Sequence, residues 1–165
     1  MKMTKLVGIG LLVVLTSISV WAAGEEDLYG TWRLVSFTQE VVATGEKTDI
    51  FGKAPCGFLS YSRNGRMSAI LVKAERPKPP DLAKMTDVER VELFKTVIAY
   101  AGTFTFDGKT ATHHVDISWN ENWTGTAQVR NVRLEGGKLY ISTNPLPAPA
   151  DGRLVIGVLT WEKVK

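Results

Sequence analysis

The 165-residue chain carries 20 Lys+Arg and 17 Asp+Glu, a formal charge of +3 and a pI near 9.0, with 22% charged and 44% apolar residues. That composition excludes a disordered or fibrous chain, and the length suits one domain able to hold a core without disulfides or metal. A single cysteine, Cys56, excludes an intrachain disulfide, and basic residues scattered without any block of like charge give nucleic-acid or anionic-membrane binding no electrostatic support.

In chain order, a short basic stretch (Met1 to Lys5) precedes an almost wholly apolar one (Leu6 to Trp21). Small residues flank Trp21 ahead of the acidic Gly24-Glu25-Glu26-Asp27. This is the pattern of a cleavable export signal over residues 1–22, cut after Ala22 or Ala23, leaving a mature domain over 23–165. The apolar run is shorter than the ~20 residues a spanning helix needs, so no stable membrane anchor is expected after cleavage and the protein should be periplasmic or secreted. Two of the 20 basic side chains, Lys2 and Lys5, lie in the leader; without them 18 face 17 acidic ones, and the mature domain is nearly neutral.

From Gly30 onward the pattern has period two. Thr31 to Phe37 places Trp32, Leu34 and Ser36 on one face and Arg33, Val35 and Phe37 on the other. Asn64-Gly65 separates strands Gly57–Arg63 and Arg66–Lys73, Asp107-Gly108 separates Gly102–Phe106 and Thr110–Trp119, and Gly136-Gly137 separates Thr126–Glu135 and Lys138–Thr143. Leu154–Val164 is the last strand. One segment departs from the alternation: Thr86-x-x-Glu89 is a capping box, and Val91, Phe94, Ile98 and Ala101 follow at helical spacing, predicting a helix over about 85–100. Six of the seven prolines fall in Arg76–Pro80 and Pro145–Pro149, which are therefore read as exposed loops. An antiparallel meander of this length leaves two open edges unless it closes, so the expected fold is mainly β, a closed up-and-down barrel with one inserted helix; an open sandwich is the alternative.

Several short motifs together carry a family resemblance. They are Gly30-Thr31-Trp32-Arg33-Leu34-Val35-Ser36, the run Gly57 to Ser68, Tyr100-Ala101-Gly102-Thr103-Phe104, His113-His114-Val115, Trp123-Thr124-Gly125, Gln128-Val129-Arg130, Leu134-Glu135-Gly136 and Leu159-Thr160-Trp161-Glu162. In this order the chain resembles the bacterial and fungal lipocalin-like domain family from about Leu28 to Lys163. The resemblance implies a calycin-type barrel with an inserted helix, and it implies less about activity, since such barrels include carriers and enzymes. The chain departs from secreted lipocalins in lacking a disulfide pair and in placing its helix mid-chain.

His113 and His114 point to opposite faces of a strand and cannot chelate one metal together. His113 shares its face with Ala111, Val115, Ile117 and Trp119 and is placed inside; His114 is placed outside with Asp116. An interior His113 could bond a ligand, act as a general base, or be a satisfied core histidine. Arg130, on the face of Gln128, Val132 and Leu134, needs a partner if buried: a ligand carboxylate, Asp116 or Glu162. The lipocalin resemblance adds a structural role, covering Trp32. A β-bulge would reverse such face assignments. Tyr61, Met67, Phe104, Trp119 and Trp123 could line an apolar pocket with His113 and Arg130, or simply fill the barrel. Trp32 and Trp161 are assigned to the core, and Cys56 is read as a buried or idle thiol, with an intermolecular disulfide as the alternative.

Three functions are consistent with these residues. One is an exported protein holding a small hydrophobic or amphipathic molecule. Another is an acid/base isomerase or cyclase on the same barrel, with His113 as base and Arg130 or Tyr61 steadying an oxyanion. The third is an interaction module with a filled barrel. No cofactor or metal motif is present, and a cavity below ~300 Å³, the low end of ordinary ligand pockets, would sink the first two.

Overall fold

The first long strand, β1 (Gly30–Val41), is rich in β-branched and aromatic residues, and its length lets it pair with three others. Its start bonds β3 (Cys56–Tyr61) and its later part bonds β2 (Lys47–Asp49) along one side, while β10 (Leu154–Lys163) runs along the other. The computed structural model describes residues 24–148 and 150–165; the predicted leader lies outside these, as does Pro149 of the second proline cluster. Between β3 and β10 the chain adds β4 (Arg66–Val72), β5 (Val97–Phe106), β6 (Thr110–Ser118), β7 (Ala127–Glu135), β8 (Lys138–Ser142) and a two-residue β9 (Leu146–Pro147). All pairings are antiparallel in the order β2-β1-β3-β4-β5-β6-β7-β8-β10-β9, and the β1–β10 pairing joins the long strands into a closed barrel. The expected meander and closure are both present.

Each of the three tight turns lies where the Gly dipeptides put it. Gly136 and Gly137 both have positive φ (58° and 76°), the backbone that a two-residue hairpin with matching twist requires. Two short strands were not anticipated. β2 and β9 flank the ends of longer strands, and β9 accommodates Pro147 because a sheet edge leaves the missing donor unneeded. A four-residue helix, α1 (Glu25–Leu28), brings Leu28 into the core.

The inserted helix is shorter than predicted. α2 spans Asp87–Lys95, and Val97 to Tyr100 belong to β5. Its start is the expected capping box: Thr86 N–H donates to Glu89 Oε2 (2.8 Å), and the Thr86 hydroxyl accepts from Glu89 N–H (3.3 Å). These bonds hold the Glu89 carboxyl below its ordinary value. The helix ends where β-branched Thr96, Val97 and Ile98 pack better on the sheet. There Arg76 donates to Leu93 O (2.9 Å) and Thr96 Oγ1 (3.1 Å), tying the helix end to the chain leaving β4.

Two bulges shift the face pattern. In β1 the partner of Leu34 is Trp161 and that of Ser36 is Thr160, so Val35 is an inserted residue. Beyond it the inward residues change parity, and Phe37, predicted outside with Arg33, packs inward against Phe51 with ring centroids 5.2 Å apart. In β6 Val115 pairs with Gly102 and Ile117 with Ala101, leaving Asp116 inserted. A Cβ on Gly102 would sit 1.8 Å from the His114 carbonyl oxygen, so only glycine permits this close crossing. Ile117, predicted inside, is consequently on the outer surface.

Candidate functional site

Inward side chains of the barrel form one main core of Leu28, Trp32, Leu34, Leu59, Tyr61, Met67, Phe104, Leu139, Ile141 and Trp161, among others. Around Leu28, Trp32, Tyr61 and Phe104 this core is filled. The Trp32 indole N–H donates to Leu28 O (2.8 Å), so α1 and β1 are pinned to each other by a satisfied buried bond. Lys163 lies over the Trp32 ring at 5.1 Å, taking the covering role that the lipocalin resemblance had offered to Arg130.

Farther along the barrel the side chains leave a cavity of about 80 Å³ with a wall that is almost wholly carbon, contributed by Phe37, Leu59, Ile98, Ile141, Leu159 and Trp161. Its remaining liners include Tyr100, His113, Trp123, Arg130 and Thr143. This is well below the ~300 Å³ of an ordinary ligand pocket, the bound set above for the carrier and enzyme readings: of the two alternatives for the interior aromatics, filling the barrel accounts for most of them, and as it stands the barrel holds no full-sized pocket.

His113 is 1% exposed and bridges two phenols. Its Nε2 lies 2.7 Å from the Tyr61 hydroxyl and its Nδ1 2.9 Å from that of Tyr100. Burial, with the Arg130 charge and then His114 adding to it, lowers the His113 pKa to about 3, so the imidazole is neutral. Burial also raises both tyrosines above their ordinary value; at Tyr100 the Arg130 charge opposes that rise. The bridge is thus an uncharged chain, and both imidazole nitrogens are occupied by protein hydroxyls. A general base needs a free nitrogen and a pKa near the working pH. His113 has neither.

Arg130 faces the interior, as the alternation predicted, but neither proposed acidic partner reaches it. Asp116 pairs with Arg66 and Glu162 with Arg33, both on the outer surface. The guanidinium donates instead to Val129 O (3.0 Å) and Gln128 Oε1 (3.2 Å) and lies over the Trp123 ring at 5.7 Å. Trp123 belongs to a one-turn 3-10 helix, Glu121–Trp123, and stacks edge-on against Tyr100 at 5.4 Å.

Of the seven predicted pocket residues, His113, Trp123 and Arg130 line the cavity and four do not. Tyr61 sits behind His113 and touches the site only through it. Phe104 packs on Tyr61 at 4.6 Å, and Met67 is buried in the filled part of the core. Trp119, carried out of phase by the Asp116 bulge, packs on Trp123 at 4.9 Å from outside the cavity. Among the residues missed are Tyr100 and Ile98, which the overlong helix had absorbed, Phe37, which the β1 bulge turned inward, and Trp161, assigned to the core alone. For Tyr100 a signal existed: Ile98, Tyr100, Gly102 and Phe104 alternate at period two, continuing the strand backwards. His114 and Cys56 are exposed, as His114 was expected to be. Among the described residues no group of three or more His, Cys, Asp or Glu is placed to hold a metal, and no helix is long and apolar enough to cross a membrane.

A closed antiparallel meander around an apolar cavity with one buried polar bridge defines a binding barrel of the lipocalin type. The chain belongs to the lipocalin-like domain family, whose pattern it matches over residues 29–164. It is similar to the 4'-hydroxy-3'-methoxypropiophenone carrier protein ppsC of Aspergillus oryzae, with 33% identity over 87 residues, covering 48% of this chain and 78% of that protein. A solved lipocalin-like protein from Bacteroides uniformis is similar at 14% identity and a TM-score of 0.43, covering 82% of this chain and 98% of its own. Family and relative together support small-molecule binding as the general function.

Proposed function

We propose that this protein is an exported carrier that holds one compact, largely apolar, single-ring molecule in its barrel. The observation carrying this reading is the carbon-walled cavity with a buried, neutral Tyr61–His113–Tyr100 bridge at its side. A small ring can bury its carbon against the wall while one polar atom meets the bridge, the usual division of labour in a ligand pocket. The relative's name, that of a carrier for a substituted propiophenone, points to the same size and chemistry.

At about 80 Å³ the cavity is smaller than the ~150 Å³ engineered cavity known to admit benzene. Entry therefore requires side chains to give way. Trp123 and Arg130 are half-buried, and Trp123 stands on a short turn rather than on a strand, so these two are the movable part of the wall. The enzyme reading is less well supported because neither nitrogen of His113 is free to take a substrate proton.

Binding is tested by titrating the mature protein with 4'-hydroxy-3'-methoxypropiophenone, following tryptophan fluorescence and native mass spectrometry. Saturable quenching with a one-to-one complex is expected, since Trp123 and Trp161 both line the cavity. Absence of any one-to-one complex at millimolar probe would leave the filled-barrel interaction module as the better reading. The export part rests on the leader; N-terminal sequencing of protein expressed with it should begin at residue 23 or 24, and an intact Met1 would overturn it.

A further inference from the structure

The buried bridge has a direction. Within the described residues the Tyr61 hydroxyl has one hydrogen-bond partner, His113 Nε2. If that hydroxyl accepted from an Nε2–H, its own proton would be left unpaired in the core, at a cost of about 1–3 kcal/mol. If it donates to a bare Nε2, only a lone pair goes unused. Neutral imidazole carries a single N–H, so a bare Nε2 puts the hydrogen on Nδ1, which donates to the Tyr100 oxygen. The Tyr100 hydrogen is then free, and Tyr100 lines the cavity.

The other polar liners have the same sign. Trp161 holds its indole N–H buried without a partner among the described residues. Arg130 can only donate. The Thr143 hydroxyl accepts from Gly157 N–H at 3.0 Å, and its own hydrogen has no partner among the described residues. Spare capacity around the cavity lies mainly on the donor side, with one hydroxyl lone pair of Thr143 beside it.

We infer that the cavity is a donor-rich pocket, in which Tyr61 sets the His113 tautomer so that Tyr100 presents its hydroxyl hydrogen to an acceptor oxygen, and that it selects carbonyl-bearing single-ring ligands. This rests on the carrier reading for its ligand, but the tautomer stands on the protein alone. Two measurements separate them. Long-range proton–nitrogen NMR of the ligand-free protein should show Nδ1 of His113 protonated and Nε2 bare; the opposite assignment overturns the inference whatever the protein binds.

The second measurement compares propiophenone with propylbenzene, which has the same ring and chain without the oxygen. In Tyr100→Phe the affinity ratio of ketone to hydrocarbon should fall about tenfold from wild type, with propylbenzene binding little changed. Tyr61→Phe, which frees the tautomer, should lower the ratio by a smaller factor. Both compounds binding with a ratio unmoved by Tyr100→Phe would overturn the acceptor preference and leave the carrier standing. Neither compound binding wild type would overturn the carrier and the ligand preference with it.

Discussion

Trp32 and Trp161 stand on adjacent strands of the β1–β10 seam, both almost completely buried, yet they belong to different halves of the interior. Trp32 lies in the filled half, with its N–H bonded to Leu28 O. Trp161 borders the cavity, with its N–H unpaired among the described residues. The filled half is packed and satisfied, as a stabilising core should be. The cavity half departs from both rules: strand register breaks beside it at Val35 and Asp116, space is left, and polar hydrogens lack partners. Departures of this kind collect where a barrel is shaped for an occupant rather than for stability.

The largest expected effect comes from forcing the cavity half to pack regularly. Gly102→Ala should destabilise by about 3 kcal/mol or more in urea unfolding, because the added methyl meets the His114 carbonyl and not a flexible side chain. A loss under about 1 kcal/mol would mean that the bulge yields and that the two halves are less different than they look.

Acid should act next, and through His113. Its folded pKa, about 3, is depressed below the unfolded 6.5, so its contribution is complete above pH 6.5 and declines as pH falls toward 3. The unfolded chain takes up the proton first. By pH 5 the loss should be about 2 kcal/mol. In His113→Gln the stability between pH 6.5 and 5 should be nearly flat, as read by urea midpoints at each pH; an unchanged slope would assign the acid sensitivity elsewhere.

The tryptophan pair offers a smaller, sharper comparison. Trp32→Phe and Trp161→Phe remove the same atoms, but only the first strands a buried carbonyl, that of Leu28. Trp32→Phe should therefore be the more destabilising by about 1–2 kcal/mol. Equal losses would mean that the Trp161 N–H is satisfied in solution. Smallest of all, Trp119→Phe should change stability by less than about 0.5 kcal/mol and leave probe binding within about twofold, since Trp119 does not line the cavity.

How much of this was legible beforehand follows the range of the forces involved. Turns at Asn64-Gly65, Asp107-Gly108 and Gly136-Gly137 depend on a few neighbouring residues, and they mark strand boundaries to within a residue or two. His113 and Arg130 were placed inside by simple alternation: Arg130 shares an unbroken strand with its reference residues, and His113 was placed correctly because Ala111 and Val115 lie on its side of the Asp116 bulge, although Ile117 and Trp119 do not. Phe37 and Trp119 were misplaced because each lies beyond a bulge, and a bulge is settled by contact between strands. Gly102 marks one of them only once His114 is known to cross it. Tyr100 was lost to a helical spacing that ran on through Ile98 and Ala101, although pairing with β4 and β6 holds this stretch as strand. The Tyr61–His113–Tyr100 bridge joins three strands, and nothing local relates its members.

The β1–β10 seam also bears on how the chain reaches its native state. It joins the first and last long strands, with register pairs from Trp32↔Lys163 to Val41↔Val155. Closing so long a loop is entropically costly, and folds dominated by distant pairings form slowly. Until the last strand arrives, β1 has an unpaired edge available to any other chain. Loss of β10 would therefore leave an open sheet with two adhesive margins, not a smaller barrel.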